Sequence, residues 1–186
     1  MHERPRIPLR PRGGAIAASL AVLVTSLLLT GCVTASAPTP VPAPAPSLTQ
    51  DQQDDAAFHD VFMRYVDLDA NTLTDQDLAA LLTGSVLKSE QAGLHKAREQ
   101  GQRTDGQELV SEFEVTDRGI DPQGAQYMTA QVCLDIGGTR IIDSNGADVT
   151  PDRAVRQSLQ VKAIKSGDAL WRISDIVRNE DVHACG

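Results

Sequence analysis

Aromatic residues are scarce in this sequence. Six aromatic side chains make up 3% of its 186 residues, whereas hydrophobic residues of all kinds make up 41%. So few large rings can fill one core of ordinary size, and two separate cores are not expected. All six follow a proline-rich stretch, so the core is predicted in the part of the chain after that stretch. They are Phe58, Phe62, Tyr65, Phe113, Tyr127 and Trp171.

Positive charge is also scarce. The formal net charge is −8, and the first 31 residues contain four arginines but only one acidic residue. Without residues 1–31, 13 Lys and Arg stand against 24 Asp and Glu, a net charge of −11. A body this acidic repels the phosphates of nucleic acids and of anionic lipids. No nucleic-acid partner is therefore expected, and membrane attachment would need something other than a basic patch.

Sequence motifs of common enzyme classes are missing. The chain has no glycine-rich phosphate loop, no HExxH or GxSxG motif and no paired CxxC motifs. No cofactor and no metal are therefore expected, and the protein is predicted to act without catalysis.

One long hydrophobic run is present, near the start of the chain. Residues 15–29, AIAASLAVLVTSLLL, follow the four arginines. A membrane-spanning helix needs about 20 apolar residues, so this shorter run is typical of a secretory signal peptide. None of the four arginines is adjacent to another, which favours the general secretory route over the twin-arginine route.

A four-residue motif ends this run. Leu29, Thr30, Gly31 and Cys32 resemble the lipobox of bacterial lipoproteins, which is a leucine, a small residue, glycine or alanine, and then the modified cysteine. The resemblance implies cleavage between Gly31 and Cys32 and a diacylglycerol group on the Cys32 sulfur. Two acyl chains give stable membrane anchoring. The alternative is an ordinary signal peptide that happens to end near a cysteine.

The segment after Cys32 is rich in proline. Residues 36–47, SAPTPVPAPAPS, are expected to adopt extended polyproline II and to form a spacer of roughly 35 to 40 Å, at about 3.1 Å per residue. The predicted organisation is a lipoprotein signal peptide in residues 1–31, a lipidated cysteine and linker in 32–47, and an extracytoplasmic domain in 48–186. The lipid would anchor the protein to the cell membrane, facing away from the cytoplasm, where its partner would be an envelope protein or a small ligand.

Three helices are predicted at the start of the domain. A capping box at Thr49 begins a first helix of about residues 51–67, in which apolar residues recur at helical spacing. Thr74 begins a short second helix that Gly84 is expected to close, and Ser85 is expected to cap a third helix.

Alternation of apolar and polar residues predicts about four strands after the helices. The first places Leu109, Phe113 and Val115 on one face, opposite three glutamates. The second, AQYMTAQVCLDI at residues 125–136, is the longest strand pattern in the chain. A turn at residues 145–146 precedes the last two strands.

This order of elements resembles the NTF2-like (cystatin-like) fold, an α+β cone in which three amino-terminal helices pack in a curved antiparallel sheet of about four strands. The lipobox, the proline-rich linker, a cysteine in a middle strand and another at the carboxy terminus are similar to those of small NTF2-like lipoproteins of actinobacteria and their phages. The resemblance implies a membrane-tethered α+β domain outside the cytoplasm.

Two cysteines remain once Cys32 is assigned to the lipid. In an oxidising compartment, Cys133 and Cys185 are expected to form a disulfide that ties the carboxy terminus to the sheet. The alternatives are two free thiols, or a metal site that uses His183 and Cys185. Two ligands so close in sequence, with no second cluster, make a poor zinc signature.

The helical histidines and one acidic loop are further candidates for sites. His59 on the first helix and His95 on the third could converge, but lone histidines on helices are typically solvent-exposed. The loop DSNGAD, residues 143–148, has the carboxylates that a calcium site needs. It lacks the ligand spacing of an EF-hand, however, and its residues are typical of a turn.

The resemblance also implies a pocket, because NTF2-like enzymes place an Asp or His base and a Tyr or Asp donor inside the cone. Tyr127, Asp135 and Asp175 lie on predicted strands and are the candidates for such a pocket, although no catalytic motif maps onto them. Tyr127 and Asp135 share the strand face opposite the apolar one, so the sequence leaves open which face of the sheet lines the pocket. The leading hypothesis is a tethered, non-enzymatic module that binds a partner protein, a wall component or a small ligand. The alternatives are a pocket enzyme of the isomerase or cyclase type, and a phage-type lipoprotein that interferes with an envelope process.

Overall fold

The structure, a computed structural model, describes residues 47–185. The predicted signal peptide, the lipobox at Cys32 and nearly all of the linker lie outside the described residues. Within this part of the chain, no helix is long and apolar enough to cross a membrane. The helices are α1 (Gln50–Val66), α2 (Asp75–Leu81) and α3 (Gly84–Glu99), and the strands are β1 (Arg103–Asp105), β2 (Leu109–Ile120), β3 (Gln126–Asp135), β4 (Arg140–Ile142), β5 (Arg156–Lys165) and β6 (Trp171–Arg178).

The strands of the described chain form two antiparallel sheets. β2, β3, β5 and β6 are neighbours in that order in a four-stranded sheet, and β1 pairs with β4 in a two-stranded sheet. The predicted α+β class, with three helices before an antiparallel sheet, is confirmed. The smaller sheet is not predicted by the sequence, because β1 and β4 have three residues each and are too short to show alternation.

Capping boxes begin the first two helices, as predicted. Thr49 Oγ1 accepts a hydrogen bond from the Gln52 backbone N–H at 3.3 Å, and Gln52 Oε1 accepts one from the Thr49 N–H at 2.9 Å. Thr74 and Asp77 make the same reciprocal pair at the start of α2. Each box satisfies backbone donors that the first helical turn leaves without a partner.

The junction between α2 and α3 differs from the prediction. Leu82, not Gly84, is the C-cap of α2, and Thr83 rather than Ser85 is the N-cap of α3. The physical reason is a contact with the sheet, because the Thr83 N–H donates to the Ile173 carbonyl at 2.8 Å and holds the junction extended. Gly84 instead begins α3 with a φ of +65°, a conformation that glycine adopts without strain.

A β-bulge changes which residues of β2 face the core. Pairing with β3 shifts between Val110 and Glu112. An extra residue at a bulge changes the alternation of side chains on either side of it. Val110 therefore packs against the core together with Phe113, and Leu109 is 64% exposed. The prediction that Leu109 shares the buried face is wrong.

The core lies between the three helices and one face of the four-stranded sheet. The Phe113 ring packs on the rings of Phe58 and Phe62, with centroids 5.2 and 5.7 Å apart. The fully or nearly fully buried apolar residues are Phe58, Val61, Phe62, Leu78, Leu81, Leu82, Val86, Met128, Ala130, Val132, Leu134, Ile136, Leu159, Val161, Ala163, Trp171 and Ile173.

The carboxy-terminal segment lies against the other face of the sheet. Cys133, which alternates with the core residues of β3, forms a disulfide with Cys185, and their Cα atoms are 5.6 Å apart. The Asn179 N–H donates to the Ser158 carbonyl at 2.9 Å, and Asn179 Nδ2 donates to Gln131 Oε1 at 2.5 Å. The predicted disulfide is confirmed, and hydrogen bonds reinforce the same contact.

Candidate functional site

A cavity of about 820 Å³ opens between the end of α1, the middle of α3 and the start of β2. Its lining includes Asp67, Asp69, Glu90, Asp105 and Glu108, and within the described chain no Lys or Arg contributes to that lining. We call it the acidic cavity. A concave surface lined by one sign of charge attracts ions or groups of the opposite sign.

Tyr65 and Glu90 both line the acidic cavity. Tyr65 lies in the last turn of α1, Glu90 lies in α3, and their side chains share a hydrogen bond. Burial raises the pKa of Tyr65, and the negative charges of Glu90 and Glu108 raise it further. Burial also raises the pKa of Glu90, and the hydrogen bond from Tyr65 offsets only part of that effect. The Tyr65 hydroxyl is therefore the donor and the Glu90 carboxylate the acceptor.

Glu108 stands at the rim of the acidic cavity, in the loop that precedes β2. Although the residue is solvent-exposed, partial desolvation of its carboxyl raises its pKa. The positive charge of Arg153 lowers the pKa of Glu108, and the negative charge of Glu90 raises it, so that the net shift is upward. Arg153 itself is held in place, because its Nη2 donates to the hydroxyl of the buried Thr139 at 2.5 Å.

A second cavity, of about 600 Å³, shares Tyr65, Glu90 and Glu108 with the acidic cavity. Arg153 and Asp175 also line it. Asp175 is thus the one predicted pocket residue that lies at this site, on the edge strand β6 of the described sheet. Six acidic side chains, one tyrosine and two arginines line the two cavities together; the second arginine is Arg178, which lines the second cavity.

Tyr127 and Asp135 line neither of these two cavities. They lie near opposite ends of β3, roughly 25 Å apart at about 3.3 Å per residue. The Tyr127 hydroxyl donates to Asp117 Oδ2 at 3.0 Å, and Asp135 pairs with Arg156 at 3.7 Å. Of the three pocket candidates, the structure therefore brings only Asp175 to this site, because alternation along β3 places Tyr127 and Asp135 on the sheet face away from the helices.

The two helical histidines do not converge. The His59 ring packs edge-on against Phe113, with centroids 5.0 Å apart. His95 Nε2 lies 3.0 Å from both carboxylate oxygens of Asp75, which joins α3 to the start of α2. Each histidine therefore has a separate local partner.

The loop of residues 143–148 is a turn stabilised by its own carboxylates. Asp143 Oδ1 accepts from the N–H groups of Asn145 and Ala147 at 2.8 and 2.9 Å. The backbone hydrogen bond from Ala147 is the largest cause of the lowered pKa of Asp143. Asp148 Oδ1 likewise accepts from the Thr150 N–H at 2.8 Å. These contacts fit the prediction of a turn.

The sequence prediction missed Tyr65, Glu90 and Glu108 as site residues. Tyr65 has the spacing of an ordinary core residue of α1. Glu90, however, carries a signal, because it lies on the same face of α3 as Leu87 and Leu94. A charged residue within an apolar stripe of a helix is a candidate for a buried or functional carboxyl. Glu108 carries no such signal, since its environment depends on how β2 pairs.

No protein-family profile and no curated protein matches this sequence. Among solved structures, the intermembrane space region of chloroplast protein ARC6 is similar, with 12% identity, a TM-score of 0.48 and coverage of 72% of this chain and 98% of that one. A periplasmic fragment of TraM has 12% identity, a TM-score of 0.43 and coverage of 68% and 96%. The TraH protein of the Gram-positive conjugative plasmid pIP501 has 10% identity, a TM-score of 0.41 and coverage of 72% and 96%.

The disulfide bears on the compartment in which the domain works. Disulfides form and persist in oxidising surroundings and are rare where thiols are kept reduced. The bridge between Cys133 and Cys185 therefore indicates an extracytoplasmic location.

Proposed function

We propose that the protein is a lipid-anchored, extracytoplasmic module that binds a ligand or a partner protein without catalysis, and that binding takes place in the acidic cavity. The observation that carries this proposal is the placement of Glu90 and Glu108 around one opening beside Tyr65. An amine or guanidinium group in this opening would pair with two carboxylates in surroundings less polar than water, where such attraction is stronger.

The proposed anchor rests on the sequence. The lipobox implies a diacylglycerol group on Cys32, whose two acyl chains would anchor the protein in the bilayer. The linker of residues 36–47 would act as a spacer between this anchor and the domain. The three helices on one face of an antiparallel sheet support the further proposal that the domain is an NTF2-like cone. In that fold, the acidic cavity would correspond to the mouth of the cone.

A binding role fits the contacts within the site. The Tyr65 hydroxyl donates to Glu90, and Arg153 is held by Thr139, so each group has a partner before any ligand arrives. A catalytic base needs a carboxylate that is free to accept a proton from the substrate. Charge complementarity needs only that the carboxylates remain accessible at the opening.

One observation favours an enzyme as a second candidate. Tyr65 and Glu90 are adjacent ionisable groups whose pKa values are both raised, a pattern found at sites of proton transfer. An isomerase or cyclase activity would then depend on Glu90 as the base and Tyr65 as the donor. It would be lost in Glu90→Gln and kept in Glu114→Gln, whose carboxylate lies on β2 outside both cavities.

Binding can be tested by native mass spectrometry of the protein extracted from membranes in a mild detergent, followed by NMR titration of the full chain with spermidine, a flexible polyamine. We expect chemical-shift changes at residues that line the acidic cavity and weaker binding in Glu90→Gln. Glu114→Gln should bind as the parent does. Shift changes spread over the acidic surface, with equal affinity in both variants, would contradict the proposed site.

The anchor is tested separately. Cys32→Ser should abolish labelling with radioactive fatty acid and leave the chain unprocessed or released from the membrane. Labelling that persists in this variant would contradict the lipobox assignment, and it would leave the proposal for the acidic cavity unaffected.

A further inference from the structure

A second group of polar side chains lies where the carboxy-terminal segment meets β2 and β3. Glu112 Oε2 is 3.6 Å from His183 Nε2 and 3.6 Å from Cys133 Sγ. One ligand atom from each of these three residues lies within 4.8 Å of the others. Cys185 is bonded to Cys133 and places a fourth potential ligand at the same point.

The spacing of these atoms matches a tetrahedral metal site. Typical bond lengths of about 2.3 Å to sulfur and about 2.0 to 2.2 Å to nitrogen and oxygen give ligand separations of about 3.4 Å between N and O and about 3.6 Å between S and O. The separations of Glu112 from His183 and from Cys133, 3.6 Å each, already have these values within a few tenths of an ångström. The His183 and Cys133 ligand atoms lie within 4.8 Å of each other and would need a separation of about 3.5 Å, and the two bonded sulfurs would have to separate to about 3.8 Å.

We propose that reduction of the disulfide converts this cluster into a binding site for one divalent zinc-like ion, with Cys133, Cys185, His183 and Glu112 as ligands. A dithiol reductant supplies two electrons and two protons, becomes a disulfide itself and leaves two cysteine thiols. The metal ion then binds both sulfurs as thiolates and releases two protons. The disulfide and the metal ion are alternative cross-links between the same two parts of the chain.

The fold explains why the sequence spacing alone does not reveal this site. Glu112 and Cys133 are directly opposite each other in the pairing of β2 with β3. His183 and Cys185 lie on a short segment that begins at Asn179, and the His183 N–H donates to the Asn179 carbonyl at 2.9 Å. Two ligands thus come from a cross-strand pair and two from the segment that lies on it.

The ion would also stabilise the thiolate form of the buried Cys133. Cys133 is only 2% exposed, and a thiolate buried to this degree is unfavourable without a positive partner. A divalent cation compensates the charges of two thiolates, and neutral His183 and ionised Glu112 complete its coordination. A mixed set of thiolate, imidazole and carboxylate ligands is typical of zinc.

The experiment uses the full-length chain with Cys32→Ser, so that the two remaining thiols are those of the site. The chain is reduced with a dithiol, freed of reductant without oxygen and titrated with Co²⁺, whose tetrahedral thiolate complexes have visible d–d and charge-transfer absorption. We expect one ion per chain in the reduced form, none in the oxidised form, and displacement by Zn²⁺. Glu112→Gln and His183→Ala should each lower the affinity at least about tenfold, since even the loss of outer-shell partners costs 10- to 100-fold.

Glu114→Gln is the matched control, because Glu114 lies two residues along β2 on the same face as Glu112. It should bind Co²⁺ as the parent does. Absence of a thiolate-to-cobalt band in the reduced parent would overturn the proposal, and parental affinity in Glu112→Gln or His183→Ala would overturn the ligand set. Circular dichroism is followed throughout, and if the reduced chain unfolds, the ion should refold the parent but neither ligand variant.

Discussion

Removal of the Cys133–Cys185 disulfide should lower the free energy of unfolding by about 4 kcal/mol. The bridge spans a sequence separation of 52 residues. In the chain-entropy model, a loop of this length restricts the unfolded chain by about 14 cal/mol/K, which is about 4 kcal/mol at 25 °C. Cys185→Ser is the cleaner variant, because it places the new hydroxyl at the half-exposed end of the bridge and leaves the buried Cys133 in place.

The assay is urea unfolding of the Cys32→Ser chain with and without Cys185→Ser, followed by the fluorescence of Trp171. Trp171 is the single tryptophan of the chain and is 7% exposed, so its emission reports on the core. The dependence of the unfolding free energy on urea should also steepen, because the unfolded chain without the bridge exposes more surface. Val182→Ser is the control, since Val182 is 85% exposed in the same segment and its replacement should change the free energy by less than about 0.5 kcal/mol.

A loss of less than about 1 kcal/mol in Cys185→Ser would refute this reasoning. It would mean that the unfolded chain gains little freedom when the bridge is removed, contrary to the loop-entropy argument. A loss as large in Val182→Ser would instead assign the stability to the packing of the segment.

Three further predictions concern single side chains. Asp54 accepts hydrogen bonds from Lys165 Nζ at 3.0 Å and Trp171 Nε1 at 3.1 Å, so Asp54→Ala should lower the free energy of unfolding in urea at pH 7 by about 1.5 to 3 kcal/mol. Asp60→Ala is the control and should lower it by about 0.5 kcal/mol or less, because Asp60 is in an exposed pair with Arg64. Burial alone would raise the pKa of Asp54, but these hydrogen bonds outweigh burial and lower the pKa below 3.8. The contribution of Asp54 to the free energy of unfolding is therefore present above that pH and should be lost as the pH falls through the folded-state pKa. A difference between parent and variant that persists at the lowest pH would contradict this. Because burial raises the pKa of Glu90 above 4.5, the stability of the parent should fall as the pH rises from 4.5 through the folded-state pKa. Glu90→Gln keeps an acceptor for Tyr65 and should be more stable than the parent at pH 7 and equally stable below pH 4.5. Lower stability of this variant at pH 7 would show that the negative charge of Glu90 is compensated in the folded protein. Thr74→Ala removes the capping box of α2 and should lower the free energy of unfolding, measured with heat or urea, by about 1 kcal/mol. Thr83→Ala is the control and should lower it clearly less, because the Thr83 N-cap makes no side-chain hydrogen bond. Equal losses in the two variants would argue against the capping contribution.

The features that the sequence predicts well are those that depend on near neighbours. The capping boxes at Thr49 and Thr74 need a partner only three residues away, and the alternation in β3 needs only the period of an extended chain. The helix-before-sheet order follows from the change in period after α3. The disulfide follows from the number of cysteines and the inferred compartment.

The pairing of strands decided what these local patterns could not. The bulge at Val110 reversed the expected orientation of Leu109, and a backbone contact with Ile173 moved the boundary between α2 and α3. Alternation correctly grouped Tyr127 with Asp135 on one face of β3, but only the tertiary structure shows that this face is turned away from the helices.

The sequence by itself thus determined the helices, the main strands and the disulfide, because each of these is a property of short segments or of composition, and on the same ground it predicts the lipid anchor. Only the tertiary structure brought Tyr65, Glu90 and Glu108 around one cavity, and only it placed Glu112 opposite Cys133 beneath His183. The physical reason is that a cavity or a ligand cluster is made by residues far apart in sequence, whose proximity depends on strand register and on helix packing rather than on local propensity.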